Sequence, residues 1–260
     1  MHEKMNDSRL ESEKKFHNKR FTGNNRDRAI VGKFYSINVD AKNIYFDLIK
    51  KNCANKKLIE YGCADGLNLE IYEKYGAHLT AIDISEEGIK KATDRLNVKK
   101  INADCLVMDV ENMVFEDKSF DIATGMGIIH HLDIKKVFAE TSRILNSNGH
   151  AIFLEPLGHN PFFNFFRKMT PSIRTKDEHP LLRKDLKLLN EFFNKVEIKY
   201  FSLFTLLAVP FRNLLLFKPL YSFLLIFDNL FFKIPYLREW AWVIIIHAQK
   251  PIKSKSNSKE

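Results

Sequence analysis

A turn of small residues, two carboxylates beside it and a pair of adjacent imidazoles are the groups in this chain that could do chemistry. Between Leu58 and Ser85 a short apolar run ends in Glu60-Tyr61-Gly62-Cys63-Ala64-Asp65-Gly66, and a second apolar run ends in Asp83. Gly62 and Gly66 carry no Cβ, so the backbone there can turn tightly and come close to a ligand. Asp83 follows the first glycine by about 20 residues, where a carboxylate accepts ribose hydroxyls. Strand, small-residue turn, helix and acid-tipped strand make the layout of a nucleotide-binding βαβ unit. Further along, His130, His131, Glu155 and His159 offer imidazole and carboxylate groups suited to moving a proton near neutral pH. These residues predict a nucleoside-bearing cofactor next to an acid–base site.

The dinucleotide fingerprint G-x-G-x-x-G fits poorly, because Ala64 stands at its second glycine and Leu67 at its third. Read as E-x-G-x-G-x-G, the loop has Glu60, Gly62 and Gly66 in place and Ala64 for the middle glycine. Here the chain resembles the class I S-adenosylmethionine-dependent methyltransferases. Met108-Asp109-Val110-Glu111-Asn112, Ser119-Phe120-Asp121-Ile122-Ala123 and His130-His131-Leu132 resemble the next blocks of the small-molecule, sugar O- and quinone-type members. The resemblance runs from Phe34 to Phe201. It implies a Rossmann-like, doubly wound α/β fold with a seven-stranded, mostly parallel sheet whose last strand pair is antiparallel. It also implies S-adenosyl-L-methionine as cofactor. The methionine half would rest on Gly62, Cys63, Ala64 and Gly66, with Glu60 positioning the loop or the cofactor ammonium. The ribose would meet Asp83 beside Ile84, and the adenine would meet Asp109 and the amide of Val110. Gly125, and Tyr35 closing over the cofactor, complete the expected pocket.

In sugar O-methyltransferases with a similar His-His pair, a histidine is the proposed base and an acid follows the fifth strand. The resemblance therefore makes His130 or His131 the base and Glu155 the acid, with His159 as a further imidazole. No metal-type spacing stands out, and a metal-independent transfer to a hydroxyl of a small, lipophilic, lipid-linked or sugar acceptor is expected. Two alternatives stand beside it. One is carbon methylation of an isoprenoid or quinone ring, which needs no strong base. The other is a non-catalytic, membrane-peripheral scaffold that retains the fold.

The elements that must position these groups alternate in type. Apolar runs predict strands near 57–61, 79–84, 104–108, 120–125, 150–155, 195–201 and 240–249, with helices between them. Residues 1–34 read as a polar lead-in, mobile or briefly helical, and 35–250 as one methyltransferase domain. Gly158 to Pro180, with three prolines, reads as a long loop whose Arg174–His179 stretch is solvated. The tail 251–260 is Lys/Ser-rich and reads as disordered. Residues 202–238 form an apolar helical insertion broken by Pro210, Arg212, Lys218, Pro219, Asp228 and Lys233. No uninterrupted span there reaches the ~20 residues a bilayer requires. A cap, a wall for a lipophilic acceptor and an interfacial surface are the three readings.

The chain has 260 residues and 45% hydrophobic content, enough for a real core. Its charged opening MHEKMNDSRLESEKK lacks a secretory signal, so a cytoplasmic location is expected. Cys53, Cys63 and Cys105 read as packed thiols. The net charge of +9 suits an anionic membrane surface, and no Arg–aromatic cluster of a nucleic-acid module accompanies it.

Overall fold

The computed structural model describes residues 2–22, 37–169 and 179–252. It opens with helix α1 (His2–Thr22), and α2 (Val39–Cys53) leads into the first strand. The apolar runs then form β1 (Lys57–Tyr61), β2 (His78–Asp83), β3 (Ala103–Val107), β4 (Phe120–Met126) and β5 (Leu145–Pro156). Helices α3 (Leu69–Lys74), α4 (Glu86–Lys99) and α5 (Ile134–Ile144) connect them. After β5 come α6 (Pro161–Met169), α7 (Arg183–Phe192), β6 (Phe193–Phe201), α8 (Phe217–Phe231) and β7 (Val243–Pro251).

The seven strands lie in the order β3-β2-β1-β4-β5-β7-β6, and β7 runs antiparallel to both its neighbours. The pairs among β1 to β5 are parallel. This is the expected doubly wound sheet. Strand pleating sends alternate side chains to opposite faces. Ile59 and Tyr61 pack with Val137 and Phe138 of α5, whereas Leu58 packs with Tyr45 of α2 and with Leu69 and Tyr72. Both faces are thus apolar, as a sheet with helices on each side demands. The order reverses between β1 and β4, which opens a crevice at their carboxyl ends.

Two expectations need correction. The stretch after Gly158 is not all loop, because α6 starts at Pro161. Proline suits the first helical position, and Asn160 Oδ1 accepts the amides of Phe162 and Phe163 at 3.0 and 3.3 Å as a cap. Far from a brief helix, α1 covers 21 residues. Residues 23–36, 170–178 and 253–260 lie outside the described residues, and with them Tyr35, the Arg174–Glu178 stretch and most of the tail.

The insertion leaves β6 at the carboxyl edge and returns to β7. A 3-10 turn (Phe204–Phe211) precedes α8, and a second (Arg238–Trp240) follows it. Asp228 is buried in α8, where it serves the first turn as a cap from another helix. Its carboxylate accepts the amides of Leu203, Phe204 and Thr205 and the Thr205 hydroxyl, the last at 2.7 Å. Tyr221 donates to Asp40 at 2.7 Å and ties α8 to α2. Much of the remaining insertion surface is apolar and exposed, including Leu215, Leu216, Phe223, Ile226 and Leu230. Among the described residues, no helix is long and apolar enough to cross a membrane.

Candidate active site

The crevice is floored by the loop after β1. Gly62 and Gly66 sit at φ +62° and +75°, and a Cβ on Gly62 would meet Ile128 Cδ1 at 2.9 Å. Ala64 adopts φ +53° as well. An alanine at the middle-glycine position therefore keeps the glycine conformation, at a cost of about 1–2 kcal/mol. Asp83 holds it there: Oδ2 accepts the Ala64 amide at 2.9 Å and Oδ1 accepts the Ser85 amide at 2.8 Å. Burial raises the Asp83 carboxyl above its usual range, opposed by these two amides. The Cys63 thiol is buried and pushed up by desolvation, so it is no thiolate at neutral pH. Asp65 points away from the loop and pairs with Arg95 at 2.8 Å.

Glu60 lies beneath the loop and is 1% exposed. Its Oε1 accepts from Asn68 Nδ2 at 2.8 Å and from the Tyr72 hydroxyl at 3.4 Å. Its Oε2 has no hydrogen-bond partner among the described residues. Desolvation pushes this carboxyl up to about 8. A buried acid with an unmatched oxygen is costly, and an ammonium group is the partner that would offset it. The loop thus fits the amino-acid end of the cofactor.

Above the loop, Gly62, Asp83, Ile84, Asp109, Val110 and His131 line a cavity of about 50 Å³. Burial raises the Asp109 carboxyl, and its Oδ1 accepts the Glu111 amide at 2.9 Å. Gly125 is not at this wall. It lies on β4 behind Ile128, whose Cγ2 would be 2.7 Å from an added Cβ, so its role is to let Ile128 reach the cavity.

The opposite wall is α1, through Arg9, Leu10, Glu13 and His17, and none of these was expected from the sequence. Arg9 pairs with the buried Glu111 and reaches the His131 carbonyl at 3.4 Å. Lys14 pairs with Glu86 at 2.7 Å. The Ser85 hydroxyl donates to Asn18 Oδ1 at 2.6 Å and accepts the Gly88 amide at 3.0 Å, capping α4. Only the i,i+4 spacing of Glu13 and His17, which sets both on one face, hinted at this wall.

The two adjacent histidines part company. His130 is buried, and its Nδ1 lies 2.8 Å from Glu155 Oε2. Glu155 Oε1 accepts the amides of Ile128 and Ile129, both at 2.9 Å, so this acid fixes the turn that carries the imidazole. His131 faces the cavity and α1. His159 is separate: its Nε2 accepts the Arg183 amide at 3.0 Å and caps α7.

The strand order and the loop after β1 are those of the doubly wound, nucleotide-binding type of fold. Residues 59–153 match the family model described as "Methyltransferase domain". Over those residues the chain is similar to that family, and the strand order is the one expected from the sequence resemblance to class I, S-adenosylmethionine-dependent methyltransferases. It is 34% identical over 100 residues to a ubiquinone biosynthesis O-methyltransferase of Pelagibacter ubique, covering 38% of this chain and 41% of that protein. A counterpart from Coxiella burnetii is 27% identical over 105 residues, covering 40% and 45%. The chain thus matches less than half the length of these curated relatives. In fold it is similar to the geranyl diphosphate C-methyltransferase of Streptomyces coelicolor, solved with Mg2+, geranyl diphosphate and S-adenosyl-L-homocysteine. That pair has a TM-score of 0.59 at 13% identity, covering 81% of this chain and 79% of the other.

Proposed function

We propose that the protein transfers the methyl group of S-adenosyl-L-methionine to a hydroxyl of a lipophilic or lipid-linked small molecule. The observation that carries this reading is the crevice at the strand switch, where Asp83 and Asp109 flank the Gly62–Gly66 loop and the unmatched Glu60 oxygen lies beneath it. The cofactor supplies an electrophilic methyl on a sulfonium. The chain's residues hold the partners in line, which accounts for most of the catalysis such a displacement needs. The acceptor oxygen gains the methyl as the S–CH3 bond breaks, and its proton passes to an imidazole. His130 is assigned as that base and Glu155 as the group that orients it, an arrangement of base and orienting acid with catalytic precedent. The lipophilic acceptor is supported by the exposed apolar insertion at the same sheet edge, whose Lys218 and Lys233 suit anionic headgroups. Relatives named for ubiquinone biosynthesis point the same way.

Calorimetry tests the cofactor and an extract assay tests the acceptor. Wild type should bind S-adenosylmethionine, and Asp83→Ala should weaken it at least about 100-fold, because charged hydrogen bonds contribute roughly 1.5–3 kcal/mol each. Unchanged affinity would remove the ribose assignment. Glu60 gives a pH signature. Its carboxyl is held above the ordinary 4.5, at about 8, so between those values the folded chain retains a proton that an arriving ammonium must expel. Binding should release a proton over that range, and Glu60→Gln should abolish the release. Label from the cofactor should enter the lipid fraction of a cell extract, and His130→Ala should stop it with cofactor affinity intact. Label in protein or water-soluble fractions alone would overturn the lipophilic acceptor.

A further inference from the structure

The wall that α1 builds against the crevice contains one cluster the methyl transfer does not use. Glu13 and His17 lie one turn apart on α1, and His131 ends the short turn after β4. One ligand atom from each lies within 4.8 Å of the other two. The Glu13 Oε2 atom is 3.4 Å from His17 Nε2 and 3.7 Å from His131 Nδ1. Glu13 is 5% exposed, and the side chains of His17 and His131 are 14% and 12% exposed.

The two separations from Glu13, 3.4 and 3.7 Å, come close to the spacing of neighbouring ligands on a metal ion. Zinc holds nitrogen and oxygen ligands at about 2.0–2.2 Å, so tetrahedral neighbours stand roughly 3.3–3.6 Å apart. Two imidazoles and a carboxylate form a donor set for borderline divalent ions such as zinc, and three protein ligands leave a coordination position open. The surroundings favour a cation. Asp83 and Asp109 line the same cavity, and Arg9, one turn before Glu13, is already matched to Glu111. Neither half of the site can form alone, because α1 supplies two ligands and the sheet edge the third.

We infer that Glu13, His17 and His131 bind a divalent transition-metal ion of the zinc type, which ties α1 to the turn after β4. The site rests on the placement of three side chains and needs neither the cofactor nor the acceptor assignment. A failure of methyl transfer would leave the metal titration unaffected. In this division of labour His130 keeps its bond to Glu155 while its neighbour serves the ion.

The test uses the full chain, stripped with a chelator and titrated with Zn2+ and then Co2+. Wild type should bind one equivalent at micromolar or tighter affinity, and Co2+ should give the visible absorption of a four-coordinate site. X-ray absorption at the zinc edge of wild type should count two imidazoles and one carboxylate, a reading independent of any variant. Glu13→Gln and His17→Gln, checked for folding by circular dichroism, should each weaken binding by at least about tenfold, the scale on which even outer partners of a metal act. The remote pair His150 and His247, stacked at 5.2 Å, supplies the control, and the double variant His150→Gln/His247→Gln should bind as wild type does. Hydrogen exchange across α1 should slow on adding Zn2+. No binding, an edge spectrum without two imidazoles, or loss of binding only in the His150/His247 variant would overturn the site. Binding with unchanged exchange in α1 would overturn the tie.

Discussion

Two helices cover the carboxyl edge of the sheet, and they are held in opposite ways. The first, α1, is polar and charged and meets the cofactor crevice through ion pairs and hydrogen bonds, with Arg9 on Glu111, Lys14 on Glu86 and Asn18 on Ser85. The second, α8, is apolar. Hydrogen bonds of Asp228 and Tyr221 fasten it, and Leu224 and Phe231 pack inward, while Phe223 and Ile226 are each 57% exposed. The Lys14–Glu86 pair is exposed and therefore weak, whereas an apolar face left open marks a surface that meets something other than water. The contrast teaches that one cover is built to be reversible and the other is built around a fixed anchor with a surface to spare.

The strongest challenge to this contrast is Asp228→Ala. It leaves the amides of Leu203, Phe204 and Thr205 without their acceptor inside the cap, so chemical denaturation should show a loss of about 3 kcal/mol or more. A loss under about 1 kcal/mol would mean that apolar packing holds α8. Arg9→Ala should cost less, about 1–2 kcal/mol, because Glu111 keeps the Asp133 amide at 2.8 Å and Lys136 at 3.8 Å. Its clearer sign should be faster hydrogen exchange confined to α1. If exchange quickens across the sheet as well, α1 is part of the core fold and the reversible reading fails. Ala64→Gly should leave stability level or raise it by up to about 1 kcal/mol, since relief of the left-handed penalty opposes added chain entropy. Smallest of all, Phe223→Ser with Ile226→Ser should move stability by no more than about 0.5 kcal/mol. The same pair should markedly reduce binding to anionic vesicles in a flotation assay, and full retention would separate the apolar face from lipid.

The sheet was legible because each strand carries its own local signal. Runs such as Leu58–Ile59 and Ile244–Ile246 are apolar on both pleat faces, as strands buried under helices must be. The cap at Ser85 is equally local, since its partner Gly88 lies three residues away. The tight turn after β1 was readable from Gly62 and Gly66, which both take positive φ. The wall made by α1 was not, because its contacts are ionic and distant in sequence and its composition shows no apolar stripe. Asp228 misled in another way. In sequence it is a charge interrupting an apolar run; in the fold it is buried and fully engaged with the turn 25 residues before it. His130 and His131 are alike in sequence, and only the short turn that carries them sends one to Glu155 and the other to the crevice.

The bend at Ala64 bears on how a guest is received. A peptide locked in a left-handed well by a carboxylate on the neighbouring strand has already surrendered its freedom, so a visitor need not supply the entropy of ordering it. Accommodation must then come from the other bank, where the electrostatic seam along the first helix is the softer boundary.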